Sequence, residues 1–418
     1  MTAWKHASWQ HLRLALFASM IGCGGTSLRC DPSPSWSSPS RAMTDAAMPS
    51  CTDANCRVWT AATGARHTCA VVGSEAEVVC WGANEVGQSD WRAPSEISLP
   101  ISINQRVYPG SSRSYRPLAA GELRTCAAPL DRIVCWGGPS PAPEILPFAF
   151  QGYLEVGLED VCAQTPTGNA CLSGPITDSN EDPMILGGAT HARWRDSAWR
   201  IQGVVPGAGL LRERPTFEMD IPTEFRLTLG IDRRNRLAVG ALHSCATDYF
   251  QGAQCVGRGE RGQLGMRYVA TEAPEGTRTP TSIGSTDTVC VGGHLGARWT
   301  PDGIATAGPI GGHTCLRFSE AYVPSVAGVY CMGANDRGQL GIGLDVDTNT
   351  FTRVVGIPNE GVRQVYCGGE HTCASTDTEF YCWGDNRDGQ LGVDPSVMEM
   401  STTPIRIDLA SAFNTGRL

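Results

Sequence analysis

Short stretches in which apolar residues, small residues and cysteine crowd together recur along this chain, each broken by a polar turn and then resumed. TCAST ahead of Asp377 and EFYCW after it form one such pair, with residues alternating on both sides of the turn, the pattern of a β-hairpin. The best copies read GARHTCAVVGSEAEVVCWGANEVGQ (Gly64–Gln88), GALHSCATDYFQGAQCVGRGERGQLG (Gly240–Gly265) and GEHTCASTDTEFYCWGDNRDGQLG (Gly369–Gly392). Six times a strand carrying Cys is followed about ten residues later by a second Cys, usually beside Trp-Gly or its remnant. A unit this short cannot bury a hydrophobic face alone, so its recurrence predicts stacked copies sharing a core.

Composition agrees. The 418 residues are 41% hydrophobic and 7% aromatic, enough for a large core, while 49 Gly and 27 Pro point to an all-β, loop-rich chain. A net charge of −9 opposes a surface that tracks phosphates, so nucleic acid is not an expected partner. Lysine occurs once, at Lys5, which removes Schiff-base chemistry and a phosphate-loop lysine from everything downstream.

Eighteen cysteines in an oxidising compartment need partners, and their spacing supplies them. Cys69 and Cys80, Cys126 and Cys135, Cys162 and Cys171, Cys245 and Cys255, Cys315 and Cys331, and Cys373 and Cys382 hold matching places in successive hairpins. Facing residues of an antiparallel pair lie about 4.5 to 5.5 Å apart, inside the disulfide range, so one bridge per hairpin is expected. Each closes a loop of about ten residues and restricts the unfolded chain by roughly 2.5 to 3 kcal/mol. Histidine accompanies cysteine at His67, His313 and His371 (HTC) and at His243 (HSC), which raises zinc as a rival. None of the pairs has the Cys-x(2 to 4)-Cys spacing of a zinc knuckle, and no Cys-x-x-Cys redox motif occurs, so no metal and no cofactor are expected. Six cysteines remain: Cys23, Cys30, Cys51, Cys56, Cys290 and Cys367. Cys51 with Cys56 makes a local loop. VCVGGHLGA (Val289–Ala297) overlays on YCGGEHTCA (Tyr366–Ala374), which makes Cys290 and Cys367 candidates to join neighbouring units.

The amino terminus reads as an export signal over residues 1–22. Lys5, His6, His11 and Arg13 precede an apolar run from Leu14 to Ile21, too short to span a bilayer. ASMIGCGG resembles a bacterial lipoprotein signal, cut just before a cysteine that is then acylated, which makes Cys23 the expected lipid attachment site. Met20 departs from the usual Leu or Val, and the alternative is an ordinary secretory signal. Residues 23–56 hold Ser, Pro, Thr, Asp and Ala with few large apolar side chains, a composition expected to form a flexible tether. The folded part is expected over 57–418.

Four units end on the same punctuation: WGANEVGQ from Trp81, GRGERGQLG from Gly257, MGANDRGQLG from Met332 and WGDNRDGQLG from Trp383. This resembles the repeat of the regulator of chromosome condensation family, Ala-Ala-Gly-x-x-His-Thr, a hairpin, then Trp-Gly-x-Asn-x-x-Gly-Gln-Leu-Gly. The match is weaker at Leu118–Gly138 and faint at Leu158–Gly174. The resemblance implies a β-propeller of four-stranded blades, normally seven, and about 360 residues then allow about fifty per blade. Six blades is the alternative, because a seventh unit at Gly188–Gly203 has the Gly-x-x-His start but no Cys, and GGHLGA and GGHTC between Cys290 and Cys331 cannot both begin a blade.

A residue needed once per repeat serves structure, whereas a catalytic residue occurs once, so His67, His243, His313 and His371 are expected to satisfy backbone groups in each blade. Trp81, Trp136 and Trp383 are expected to pack against the next blade. The acidic turns Asp385–Gly389 and Asp345–Asn349 carry oxygens suited to calcium but lack EF-hand spacing, so solvated turns are expected there. No catalytic sequence motif for a Ser hydrolase, a zinc protease or a phosphate loop occurs. The reading is an exported, lipid-anchored, non-catalytic scaffold on the cell envelope that binds a protein or an envelope glycan, touching the membrane through the lipid alone. The alternatives are an envelope glycan hydrolase or lyase, and a secreted enzyme inhibitor. Trp194, Arg195, Trp199 and Arg200 form the candidate binding patch, a cluster that does not repeat.

Overall fold

Every repeat that the hydrophobic pattern marks as a hairpin is one, and each hairpin is the centre of a four-stranded antiparallel sheet. In the first sheet Val58–Thr63, His67–Val72, Glu77–Gly82 and Ile97–Arg106 lie side by side in chain order. The computed structural model describes residues 56–175 and 311–414 apart from short stretches, and, between them, strand segments from 184 to 306 together with 261–263. For those middle strands the description is of backbone alone. All described residues fall within one unit, Ala47–Leu418.

Seven four-stranded sheets are present in the described residues, all with the same meander order. Their first strands are Val58–Thr63, Leu118–Ala120, Leu154–Val156, Met184–Gly187, Leu237–Val239, Gly303–Thr306 and Gln364–Cys367. Each contacts the first strand of the next sheet, and Gln364–Cys367 returns to Val58–Thr63. The sheets thus form a propeller, and the ring closes without a strand shared between its two ends, since all four strands of the seventh sheet come from residues 364–406.

The hairpins are buried on both faces, which is why their second and third strands read as near-continuous apolar runs. In the first sheet Cys69, Val71, Val78 and Cys80 join a cluster with Leu118, Ala127 and Trp136 of the second sheet. The alternate residues Ala70, Val72, Val79 and Trp81 pack instead with Phe380, Leu391 and Ile407 of the seventh. Matching clusters fill the seam between the second and third sheets and that between the sixth and seventh. The core therefore lies between sheets, and a single strand contributes to two of its compartments.

Five hairpins are bridged internally: Cys69–Cys80, Cys126–Cys135, Cys162–Cys171, Cys315–Cys331 and Cys373–Cys382. Their Cα atoms stand 4.0 to 4.1 Å apart, closer than the spacing expected from ideal strands. Cys245 and Cys255 face each other in register, with their sulfurs outside the described residues. The unit without cysteine is nonetheless a sheet, built from Met184–Gly187, Thr190–Arg195, Ala198–Val204 and Thr216–Asp220. His313, of the GGHTC segment, opens the hairpin of the sixth sheet, while the GGHLGA segment lies outside the described residues.

Candidate functional site

The punctuation of each repeat builds a polar joint between neighbouring sheets. His67 sits opposite Gly82 across its hairpin, and this glycine, at φ 105°, lacks the side chain that would collide with the backbone of Arg66 and His67. From there His67 Nε2 reaches Thr125 Oγ1 of the second sheet at 2.7 Å. Thr125 donates its single hydroxyl proton to the carbonyl of Gln88 at 2.8 Å, so the imidazole nitrogen must be the donor to Thr125. Trp136, paired with Thr125 across the hairpin, donates its indole N–H to the same carbonyl at 2.9 Å.

The joint recurs. Between the sixth and seventh sheets it is His313 to Thr372 at 2.8 Å, with Thr372 and Trp383 both donating to the Gln339 carbonyl. Between the seventh and first sheets it is His371 to Thr68 at 2.9 Å, with Thr68 and Trp81 on the Gln390 carbonyl. His67 and His371 are wholly buried, and burial first of all lowers each to a pKa of about 3. For both, Nδ1 has no hydrogen-bond partner, so a second proton would be stranded in the interior.

Asparagine shapes the loop that carries the glutamine. Asn386 donates to the carbonyls of Val393 and Met398 and accepts from the Leu391 N–H. Asn335 does the same with Leu344, Val346 and Leu340. Asn84 holds Asp90 and Ala93 by their carbonyls and accepts from the N–H groups of Ser89 and Asp90. The glutamine side chains fold back on the same turns, Gln390 Oε1 accepting from the Asp388 N–H and Gln339 Oε1 from the Arg337 N–H.

On these loops stands a series of ion pairs of mixed sign. Arg66 bridges Glu85 at 2.7 Å and Asp388 of the seventh sheet at 3.0 Å. Arg387 bridges Glu370 and Asp385, and Arg261 bridges Asp336 and Asp347 of the sixth sheet. Burial raises the carboxyl pKa of Glu370 and of Asp388, which the facing arginines only partly offset.

Residues 327–375 and 362–390 match two models of the regulator of chromosome condensation (RCC1) repeat. Residues 327–390 are thus of RCC1 repeat type. Curated relatives of the chain include the mouse X-linked retinitis pigmentosa GTPase regulator, 39% identical over 19% of this chain and 8% of that protein. The human regulator of chromosome condensation is 39% identical over 19% of each, and the Arabidopsis thaliana ultraviolet-B receptor UVR8 is 32% identical over 38% of this chain and 31% of its own. The chain thus spans less than a third of each of these relatives. Among solved structures, yeast RCC1 (Prp20) bound to Kap60 is 17% identical with a TM-score of 0.47, covering 84% of this chain and 75% of that one.

Within this ring the expected roles need three corrections. The repeated tryptophans pack against the preceding sheet in chain order, not the next, because the glutamine carbonyl they seek lies on the loop behind them. Cys367 carries a free, buried thiol and so does not pair with Cys290. His67, His313 and His371 bond a hydroxyl of the following sheet, where a backbone group was expected; the His243 side chain lies outside the described residues. The acidic turns are engaged by arginine: Asp385 is buried against Arg387 and Gln390, Asp388 meets Arg66, and Asp347 meets Arg261 and the Asn335 N–H. Asp345 is exposed.

Of the candidate patch only the backbone is described. Trp194 pairs in register with Trp199, Arg195 with Ala198 and Arg200 with Arg193, all on the second and third strands of the fourth sheet. Cys23, Cys30, Cys51 and Cys290, with the expected signal and tether, lie outside the described residues; Cys56 is disulfide-bonded. Among the described residues no helix is long and apolar enough to cross a membrane. The threonine, asparagine and glutamine of the joint recur in the sequence at fixed offsets from His and Trp, but each is an ordinary loop residue when read alone, and its role comes from the neighbouring sheet.

Proposed function

We propose that this chain is an exported, non-catalytic docking scaffold, held at the cell envelope through a lipid on Cys23 and a tether over residues 23–56, and that its partner is a protein. The observation that carries this is the hydrogen bonding that fixes the described loops at 84–88, 335–339 and 386–390. Each is fixed at one end by a joint to the neighbouring sheet and internally by a buried asparagine, so presenting it to a partner costs little ordering entropy. Half-exposed ion pairs such as Arg66 with Glu85 add little to stability, and a series of alternating charge suits recognition and orientation of a charged partner. Five bridged hairpins support an oxidising destination. Among the relatives, one is described as a GTPase regulator and another as a Ras guanine nucleotide exchange factor, both acting on proteins. Fold likeness does not name this chain's partner.

The test is affinity capture from solubilised envelopes with the full chain, alongside a variant carrying Arg66→Ala, Arg261→Ala and Arg387→Ala. The reading expects a protein retained by the parent and lost from the variant. Recovery of the same proteins by both would contradict it.

A further inference from the structure

The seam between the sixth and seventh sheets holds one group that the other described seams lack. Cys367 ends the first strand of the seventh sheet and pairs in register with Thr372, on the face turned toward the sixth sheet. In the seam between the seventh and first sheets the same register position is Thr63, opposite Thr68. Cys367 therefore lies against the hairpin that carries His313 and the Cys315–Cys331 bridge. Its sulfur, the Cys315 sulfur and a ring nitrogen of His313 all lie within 4.8 Å of one another, and all three residues are buried. Cys315 is already bonded, so this set offers a metal one thiol and one imidazole, short of a structural zinc site. What it does assemble is the reactant pair for thiol–disulfide exchange, a free thiol beside a disulfide sulfur.

We propose that Cys367 is an exchange partner for the Cys315–Cys331 bridge, so that the ring holds a second covalent state in which the sixth and seventh sheets are joined. The Cys367 sulfur attacks the Cys315 sulfur, the Cys315–Cys331 bond breaks, and the proton leaving the Cys367 thiol ends on the departing Cys331 sulfur. One disulfide and one thiol enter and one of each leaves, with no outside oxidant or reductant. The product replaces a bridge spanning 16 residues within one sheet by one between sheets, residues 315 and 367. Burial pushes the Cys367 thiol pKa up, which keeps the thiolate scarce and the exchange slow.

The sequence makes the test clean, because cleavage at arginine puts Cys315 in 299–317, Cys331 in 318–337 and Cys367 in 364–387. The oxidised full chain is held folded at pH 8 for days, with samples acid-quenched, alkylated in denaturant and mapped without reductant. The proposal expects a growing link between 299–317 and 364–387, matched by alkylation of Cys331, and no such link in Cys367→Ser. A link to 318–337 that never changes, with Cys367 alkylated throughout, overturns it. A trapping variant guards against slow kinetics: Cys331→Ser, folded with oxidised glutathione, is expected to form Cys315–Cys367. If it instead leaves both thiols open to alkylation or capped by glutathione, the sulfurs do not reach each other and the proposal fails.

Discussion

His371 Nε2 stands 2.9 Å from Thr68 Oγ1, joining the last sheet to the first across 303 residues of chain. Thr68 donates its own proton to the Gln390 carbonyl, and Trp81 donates to the same carbonyl, so two side chains of the first sheet meet on one backbone oxygen of the seventh. The ring closes because the same sequence punctuation is present at both ends of the folded part. Gly369 N–H adds a backbone contact to the carbonyls of Gly64 and Ala65 at the same seam.

Acid should loosen the seams on both sides of the first sheet. His67 and His371 have folded-state pKa values of about 3, below the unfolded value near 6.5, so the unfolded chain binds more protons between those limits. Stability from this source is complete above about pH 6.5 and falls as pH drops toward 3, by at most about 5 kcal/mol per histidine. Glutamine keeps an N–H donor but does not titrate, so H67Q/H371Q should show a shallower decline in the denaturation midpoint between pH 7 and pH 4 than the parent. Parallel curves would contradict the buried neutral imidazoles.

Two glycines separate strain from collision. Gly389 has φ 79°, and a Cβ there would lie 2.6 Å from the Ser98 Cα across the seam. Gly356 has a similar φ of 82° with nothing within 4 Å. Gly356→Ala should cost about 1 kcal/mol, the conformational penalty alone, and Gly389→Ala clearly more, since backbone on both sides must move. Equal losses in chemical denaturation would mean that the Gly389 loop does not press on the first sheet.

Loss of a hairpin bridge should be felt locally and globally. Replacing Cys69 and Cys80 by Ala removes a bridge with a sequence separation of 11 and fully buried sulfur, at a cost of about 3 kcal/mol or more once the cavity is counted. The denaturation midpoint of the double variant checks this, and an unchanged midpoint would contradict a native Cys69–Cys80 bond.

The hairpins, their bridges and the stacked architecture are legible in the sequence because period-two alternation and cysteine spacing are local signals. The sheet at Met184–Asp220 is nearly invisible to that reading, since it has no cysteine pair, only the Gly-x-x-His start. Inter-sheet chemistry is harder still. That Trp81 belongs to a carbonyl 309 residues away follows only when the ring is closed, and the direction of its packing was inverted for that reason. The thiol of Cys367 reads as an unpaired leftover in the sequence, and its proximity to Cys315 comes from the register of two different sheets.

The closed ring is tested most directly by a double-mutant cycle between Thr68 and His371, using Thr68→Val, His371→Ala and the pair, with unfolding free energies measured on the oxidised protein. Contact across the seam predicts a coupling energy of about 1 to 2 kcal/mol, because either change alone already breaks the bond. Losses that add to within about 0.3 kcal/mol would show that the first and seventh sheets do not meet.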